Sequence, residues 1–233
     1  MLQEAGAQPV LAPTIQLVDP SDPAAADEAV SRAACYAWVV FTSANGVRVF
    51  FDKLRARRED ARTFGAAKIA AIGLKTSQAL LERHVYADLV PQSYIAEDLA
   101  QALITVSKPG EKLLIFRAEE ARDVLPVRLR AAGRDADVVS AYKTVYAEDP
   151  EFAAKVASCE ILTFTSASTV RGFVHNLHGA AAASHAARGK VIACIGPVTA
   201  DEARKSGLEV AVTADEFTAD GLLAALHAAV TPA

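Results

Sequence analysis

An internal repeat constrains the fold of this 233-residue chain more than any other feature. FTSANGVRVF at 41–50 matches FTSASTVRGF at 164–173 in seven of ten positions, at an offset of 123 residues. The same offset, without a gap, aligns AAIGLKTSQAL at 70–80 with ACIGPVTADEA at 193–203 and continues to the leucines of a later helix. Register kept over more than sixty residues indicates two copies of one structural unit.

Each copy alternates strand-like and helix-like segments. A short apolar run ends in Thr-Ser, and apolar residues then recur at helical spacing, as at Val47, Phe50 and Leu54 in the first copy. Further predicted strands lie at 68–72, 88–90, 190–195 and 209–212, and further predicted helices at 76–83, 96–106, 199–205 and 218–230. Because right-handed crossovers place helices on both faces of a parallel sheet, the predicted fold class is α/β with two similar doubly wound parallel domains.

The order of the segments predicts that one domain is inserted in the other. The first copy continues through a strand at 113–116, a helix with Asp123 as its N-cap and a strand at 138–146. LQEAG at 2–6 resembles LRAAG at 129–133, so the N-terminus completes the second copy. We expect a discontinuous domain at 1–18 plus 147–233, an inserted domain at 19–146, and a two-stranded linker at about 13–19 and 140–149.

The second copy has no counterpart of residues 111–128 of the first copy, which are 18 positions of strand, loop and helix start. We therefore expect the N-terminal part of the discontinuous domain to be incomplete and its sheet to lack a strand. Either the segment is naturally absent or the chain begins late.

Charge and motifs exclude several classes of protein. A net charge of −4 without a basic run disfavours nucleic-acid and membrane-surface binding. The N-terminus lacks a signal pattern and no apolar stretch could span a membrane, so we expect a cytoplasmic protein with Cys35, Cys159 and Cys194 as reduced core thiols. No dinucleotide, P-loop, zinc-protease or hydrolase motif is present, so none of these classes has motif support, and His175 and His178 have no placed metal-ligating companions, so we expect no metal site.

The ordered set FTSANGV, AAIGLKT, AYKT, FTSAS and CIGPVTA resembles the uroporphyrinogen-III synthase family over essentially the whole chain. The resemblance implies two lobes joined by a two-stranded linker around an open cleft, no cofactor, and a monomer with at most transient contact to the preceding pathway enzyme. It implies that the protein cyclises hydroxymethylbilane, a linear tetrapyrrole rich in carboxylates, with loss of water and inversion of the last pyrrole ring. The chain departs from the family at its start, where the usual opening strand and Arg-containing loop are absent.

Tyr142, in the AYKT motif, is the candidate catalytic residue. Hydroxide is a poor leaving group until a proton donor assists it, and a phenol is protonated at neutral pH. The resemblance gives this tyrosine the role of the acid. The alternative is an amphipathic tyrosine that covers a strand edge with its hydroxyl in water.

We take as candidate substrate-binding residues those that lie between the end of a strand and the start of the next helix. Free N–H groups at helix N-termini bind carboxylates, and the carboxyl ends of parallel strands line ligand sites. The set is Thr42, Ser43, Thr76, Thr165, Ser166 and Thr199, with Arg117 as a bidentate carboxylate clamp. The alternatives are plain helix capping for the hydroxyls and a solvated loop position for Arg117. A rival function uses the same groups: a non-catalytic bilobed binding or sensory module for an acidic small molecule.

Overall fold

The computed structural model describes residues 2–4 and 6–230, with the side chain of residue 230 left out. The chain divides into two compact units, which we call the continuous unit (Leu17–Thr144) and the split unit (Met1–Gln16 with Val145–Ala233). The part of the predicted discontinuous domain that falls on residues 1, 5 and 231–233 lies outside the described residues.

The continuous unit is built on a five-stranded sheet of order β1-β5-β4-β2-β3, in which β2 pairs with β3 and with β4, and β4 with β5, all in parallel. Two short 3-10 turns at Ala33–Cys35 and Ala61–Phe64 accompany it. In chain order the elements are β1 (Ile15–Val18), α1 (Pro23–Ser31), β2 (Trp38–Phe41), α2 (Ala44–Ala56), β3 (Lys68–Ala71), α3 (Leu74–Leu81), α4 (Ala96–Val106), β4 (Lys112–Ala118), α5 (Val124–Ala131) and β5 (Asp135–Tyr146). The first two residues of β1 and the last two of β5 fall in the split unit.

Both faces of this sheet are apolar, because all four residues of β2 are buried and successive side chains point to opposite faces. One face packs Phe41 and Phe116 against Phe50 of α2. The other packs Val40 among residues that include Leu99 and Leu103 of α4. Helices therefore cover both faces, and the predicted doubly wound α/β arrangement is confirmed for this unit.

One local prediction in the continuous unit is wrong: the strand expected at 88–90 is reduced to one isolated bridge between Ala70 and Leu89. Asp123 stands at the N-cap of α5 as predicted, although its carboxylate binds Arg117 and no helix amide.

The split unit contains a three-stranded parallel sheet of order β6-β7-β8. Phe164 and Phe173 belong to the cluster on one face, and Ile195, Leu222 and Leu226 to the cluster on the other. Its elements are α6 (Phe152–Ser158), β6 (Ile161–Phe164), α7 (Ala167–Asn176), α8 (Ala180–Ala186), β7 (Val191–Cys194), α9 (Pro197–Lys205), β8 (Val210–Thr213) and α10 (Ala219–Val230). Among the described residues this sheet has no counterpart of β4.

The three cysteines are free, but they do not share one environment. Cys194 is buried in β7, where desolvation raises the pKa of its thiol to about 11. Cys159 is half-buried and Cys35 is exposed, so the prediction of a core position is wrong for Cys35. In the described part of the chain, no helix has the length and apolar character required to cross a membrane.

Candidate functional site

The hydroxyls of Ser43 and Tyr142 meet at the carboxyl edge of the continuous unit's sheet. Ser43 directly follows β2 and Tyr142 lies in β5, and parallel strands end at the same edge. Their oxygens are 3.0 Å apart, and the Ser43 hydroxyl also accepts a hydrogen bond of 3.0 Å from the Gly46 N–H as the N-cap of α2. Tyr142 is 7% exposed and its hydroxyl has a protein partner, which argues against the alternative of a strand-edge tyrosine with its hydroxyl in water.

This pair can hold and release a proton. A serine hydroxyl has one proton and two lone pairs. Because one lone pair of Ser43 is used by Gly46, its O–H can donate to the phenol oxygen of Tyr142, which leaves the phenol proton for another acceptor.

The loop after β4 fixes the backbone beside Tyr142. The Glu119 N–H donates to the Tyr142 carbonyl at 2.9 Å, and the Glu119 carboxylate lies 3.8 Å from the Lys143 ammonium. The backbone N–H and hydroxyl of Ser21, followed by Lys143, lower the pKa of Glu119, so this carboxylate stays charged and engaged. Glu119 therefore contacts both the backbone of Tyr142 and the side chain of the next residue, Lys143.

Arg117 is buried and already holds a carboxylate of its own loop. Its Nη2 donates to Asp123 Oδ1 at 2.5 Å and its Nη1 donates to the Arg122 carbonyl at 2.8 Å. The side chain is 8% exposed, and its Nε has no hydrogen-bond partner within the described residues. The alternative of a solvated loop arginine is wrong, and a substrate carboxylate would compete with Asp123 for the guanidinium.

Thr76 lies in the first turn of α3, whose N-terminus has no side-chain cap. Gly73 occupies the N-cap position and offers no side-chain acceptor, so the first amides of the helix are free of the bond that Ser43 provides to α2. Thr76 itself is buried at 3% exposure, and Thr42 is half-buried before α2. An uncapped helix N-terminus is suited to carboxylate binding.

The split unit repeats this pattern. Ser166 caps α7 in a reciprocal capping box with Thr169, and Thr165 beside it is exposed. Thr199, 4% exposed, lies in the first turn of α9, whose N-cap Gly196 again supplies no side-chain acceptor. Each unit therefore has one serine-capped helix and one glycine-started helix at the carboxyl edge of its sheet.

An exposed aromatic ring lies over each of these two N-cap glycines. A Cβ added to Gly73 would lie 3.0 Å from the Tyr94 ring, and one added to Gly196 would lie 2.9 Å from the Phe217 ring. The rings are 53% and 56% exposed, which is high for large apolar groups. Neither ring is among the site residues predicted from the sequence, although the 123-residue offset joins Gly73 to Gly196 and Tyr94 to Phe217.

In the described ranges, no three histidine, cysteine, aspartate or glutamate side chains gather as a metal site would require. His175 stacks on the Tyr146 ring with centroids 4.3 Å apart.

The fold and these helix ends define a class: a doubly wound α/β protein whose two repeated units present hydroxyls and free helix amides at the carboxyl edges of their sheets. The family model described as uroporphyrinogen-III synthase HemD matches residues 1–224. The chain belongs to the uroporphyrinogen-III synthase family.

Individual relatives agree with this assignment. Uroporphyrinogen-III synthase of Synechococcus elongatus is 32% identical over 233 residues, covering 97% of this chain and 88% of that protein. The porphyrin biosynthesis protein HemD of Ruminiclostridium josui is 32% identical over 226 residues, 95% of this chain, which spans only 44% of that longer protein. A crystal structure of mutant uroporphyrinogen III synthase from Thermus thermophilus is similar with a TM-score of 0.64 at 20% identity, covering 98% of this chain and 92% of that one, a likeness of fold.

Proposed function

We propose that this protein is a uroporphyrinogen-III synthase, which cyclises hydroxymethylbilane with loss of water and inversion of the terminal pyrrole ring. The observation that carries the proposal is the family match over residues 1–224, nearly the whole chain. The paired hydroxyls of Ser43 and Tyr142 supply a proton donor for the loss of the substrate's hydroxymethyl oxygen as water.

In the first chemical step the C–O bond of the substrate's hydroxymethyl group breaks and the oxygen leaves as water. Tyr142 donates its phenol proton to that oxygen, which removes the need to expel hydroxide. Ser43, whose hydroxyl oxygen lies 3.0 Å from the phenol oxygen and can donate to it, stabilises the phenolate that remains.

Ring inversion requires that the linear substrate be held in one conformation, which binding of its peripheral carboxylates can enforce. The uncapped N-termini of α3 and α9 supply backbone N–H donors, with Thr76 and Thr199 in their first turns. Tyr94 and Phe217 offer exposed faces beside the same amides, on which pyrrole rings can stack. Thr42, Ser43, Thr165, Ser166 and Arg117 complete the proposed substrate-binding set.

We also propose the domain limits 1–18 plus 147–233 and 19–146, which differ by two residues at each junction from the compact units. In this proposal the enzyme works in the cytoplasm as a monomer without a cofactor, with only transient contact to the preceding pathway enzyme.

The test incubates the purified protein with enzymatically generated hydroxymethylbilane and separates the oxidised products by chromatography. We expect the inverted isomer to exceed the non-inverted isomer that forms spontaneously. If only the non-inverted isomer appears while the protein binds the tetrapyrrole, the non-catalytic binding module replaces the synthase.

Tyr142→Phe removes the donated proton and keeps the ring. We expect kcat to fall about 10²–10⁴-fold, the usual range for general acid catalysis, with a smaller change in product binding. Ser43→Ala should lower kcat less, and Ser43→Thr should restore part of it. Asp22→Ala is the matched control, since it removes the side-chain cap of α1 without touching Tyr142. Equal losses of kcat and of product binding in Tyr142→Phe would make Tyr142 a positioning residue only.

A further inference from the structure

The side chain of Tyr142 does not follow the regular alternation of β5. Successive residues of a strand point to opposite faces of the sheet. Ala136 and Val138 pack in the apolar cluster on one face. Val139 and Ala141 belong to the cluster on the other face. Alternation would place Tyr142 on the first of these faces, but it packs on the second, in the same cluster as its neighbour Ala141.

A β-bulge in β5 explains this change of face. β4 and β5 pair residue for residue as far as Ser140, and the next residue of β4, Ala118, then pairs with Tyr142. Ala141 is therefore the extra residue of the bulge. Bulges are uncommon in parallel pairs, and next to functional sites they redirect a side chain. Because of this bulge the Tyr142 hydroxyl lies 3.0 Å from the hydroxyl of Ser43.

Two loop residues hold the backbone at the bulge. β5 lies between β1 and β4 in the sheet, and Ser21 follows β1 whereas Glu119 follows β4. The Glu119 N–H donates to the Tyr142 carbonyl at 2.9 Å. The Glu119 carboxylate accepts the Ser21 N–H at 2.7 Å and the Ser21 hydroxyl at 2.8 Å. A hydrogen-bonded connection therefore runs from the loop after β1, through Glu119, to the backbone of Tyr142.

This connection depends on the side chain of Glu119. β4 ends at Ala118, so Glu119 is a loop residue and the sheet does not fix the position of its N–H. Its carboxylate provides the anchor, through two hydrogen bonds that are strengthened by the negative charge. Without this anchor the loop can move, and the strand can lose the bulge that directs the phenol at Ser43.

We propose that Glu119, anchored by Ser21, is a positioning residue for proton donation by Tyr142. Glu119 holds the bulge in β5, and the bulge keeps the phenol paired with Ser43. This inference rests on the proposed synthase function and adds to it a residue that acts through Tyr142.

The kinetic test compares Glu119→Ala with Glu119→Gln. Glu119→Ala removes the anchor, and we expect kcat to fall about 10- to 100-fold with little change in KM, because the acid is misplaced while substrate binding remains. Glu119→Gln keeps an oxygen that accepts the Ser21 N–H and should retain most of the activity. Asp22→Ala is the matched control, since it removes a neighbouring side-chain hydrogen bond, to the Ala25 N–H, and should leave kcat as it is.

A double-mutant cycle separates positioning from a general structural effect. In the Tyr142→Phe background no phenol proton remains to be positioned, so Glu119→Ala should cause no further loss of kcat. A general structural role would instead cause the same loss in both backgrounds. Ser21→Ala should lower kcat less than Glu119→Ala does, because the backbone N–H of residue 21 still binds the carboxylate.

An NMR measurement tests the positioning without turnover. In protein labelled with [13C]tyrosine, the Cζ signal of Tyr142 is the one that Tyr142→Phe removes. Ser43→Ala takes away the hydroxyl partner and should shift this signal. Glu119→Ala should shift it in the same direction, whereas Glu119→Gln and Asp22→Ala should leave it in place.

Three results would overturn the proposal. The Tyr142 signal could stay in place in Glu119→Ala, Glu119→Gln could lose as much kcat as Glu119→Ala, or Glu119→Ala could cause equal losses in the two backgrounds. Failure of the proposed function has a different signature, which is a wild-type protein that yields only the non-inverted isomer. The NMR comparison then still decides whether Glu119 positions the phenol.

Discussion

The strands β2 and β6 both end in the first residue of the repeated motif, Phe41 and Phe164, but the surroundings of the two strands differ. Val40 in β2 has no exposed surface, whereas Thr163, its counterpart in β6, is exposed. Both strands lead through a Thr-Ser turn into a serine-capped helix. The comparison teaches that the local motif determines the strand, turn and helix, while the neighbouring strand determines which residues are buried.

At the carboxyl edges the two units are alike. The first helix of each pair is capped by Ser43 or Ser166, and the second begins at a glycine under an aromatic ring. The two units thus have the same helix starts at the sheet edges where we propose that the substrate binds, and they differ in the number of strands in their sheets.

The largest expected effect in this comparison concerns the two phenylalanines that end the strands. Phe41 contacts the rings of Phe50, Phe64 and Phe116, whereas the ring contact of Phe164 is with Phe173. Phe41→Ala should lower the free energy of unfolding of the continuous unit by about 3–5 kcal/mol.

Phe164→Ala should lower the free energy of unfolding of the split unit by less, because Phe164 borders an open groove and its removal leaves a smaller closed cavity. Urea titration followed by the fluorescence of Trp38, the chain's single tryptophan, reports on the continuous unit. Amide exchange in β7 reports on the split unit. Equal losses in both units would contradict the difference in packing described above.

The next effect comes from exchanging the two residues in the middle of the strands. Val40→Thr buries a hydroxyl in an apolar cluster and should lower the free energy of unfolding of the continuous unit by about 1–3 kcal/mol. Thr163→Val changes an exposed side chain and should change the free energy of unfolding of the split unit by no more than about 0.5 kcal/mol. The same two measurements apply, and a large loss in Thr163→Val would show that the edge of β6 is covered in solution.

The smallest effect concerns thiols of the two units. Cys35 is exposed, and burial raises the pKa of Cys194 to about 11. With iodoacetamide at pH 8, Cys35 should react about a hundredfold faster or more, as peptide mass mapping can measure. Rapid labelling of Cys194 in the folded protein would contradict its burial.

The raised pKa of the Cys194 thiol makes the stability of the folded protein depend on pH. The folded state holds the Cys194 proton more tightly than the unfolded chain does, so this contribution to stability is present below the ordinary pKa of 9.0 and is lost as pH rises towards about 11. Cys194→Ala should make the loss of stability over this alkaline range less steep, in urea titrations at several pH values.

Much of the fold could be predicted because it follows from local pattern. Apolar runs before Thr-Ser and helical spacing after it located β2, α2, β6 and α7, and the helix predicted at 96–106 agrees with α4. The strand at 88–90 could not be separated from a single bridge, since three residues carry too little periodicity. The exposure of Cys35 depends on how a 3-10 turn packs, which composition does not encode.

The candidate site divides in the same way. Repetition of the Thr-Ser turns pointed to Ser43 and Ser166 as residues at strand-to-helix junctions, and both are N-caps. The engagement of Arg117 by Asp123 was not predictable, because a sequence pattern does not tell which carboxylate satisfies a buried guanidinium.

By itself the sequence determined the repeat, its 123-residue period, the parallel α/β class and the absence of a counterpart for residues 111–128, since these depend on periodicity and alignment along the chain. Only the tertiary structure decided that the hydroxyls of Ser43 and Tyr142, 99 residues apart, lie 3.0 Å from each other, and that, within the described residues, one edge of β6 is open. Both are relations between strands distant in sequence, and they are set by which strands pair and in what register, a choice that local patterns do not contain.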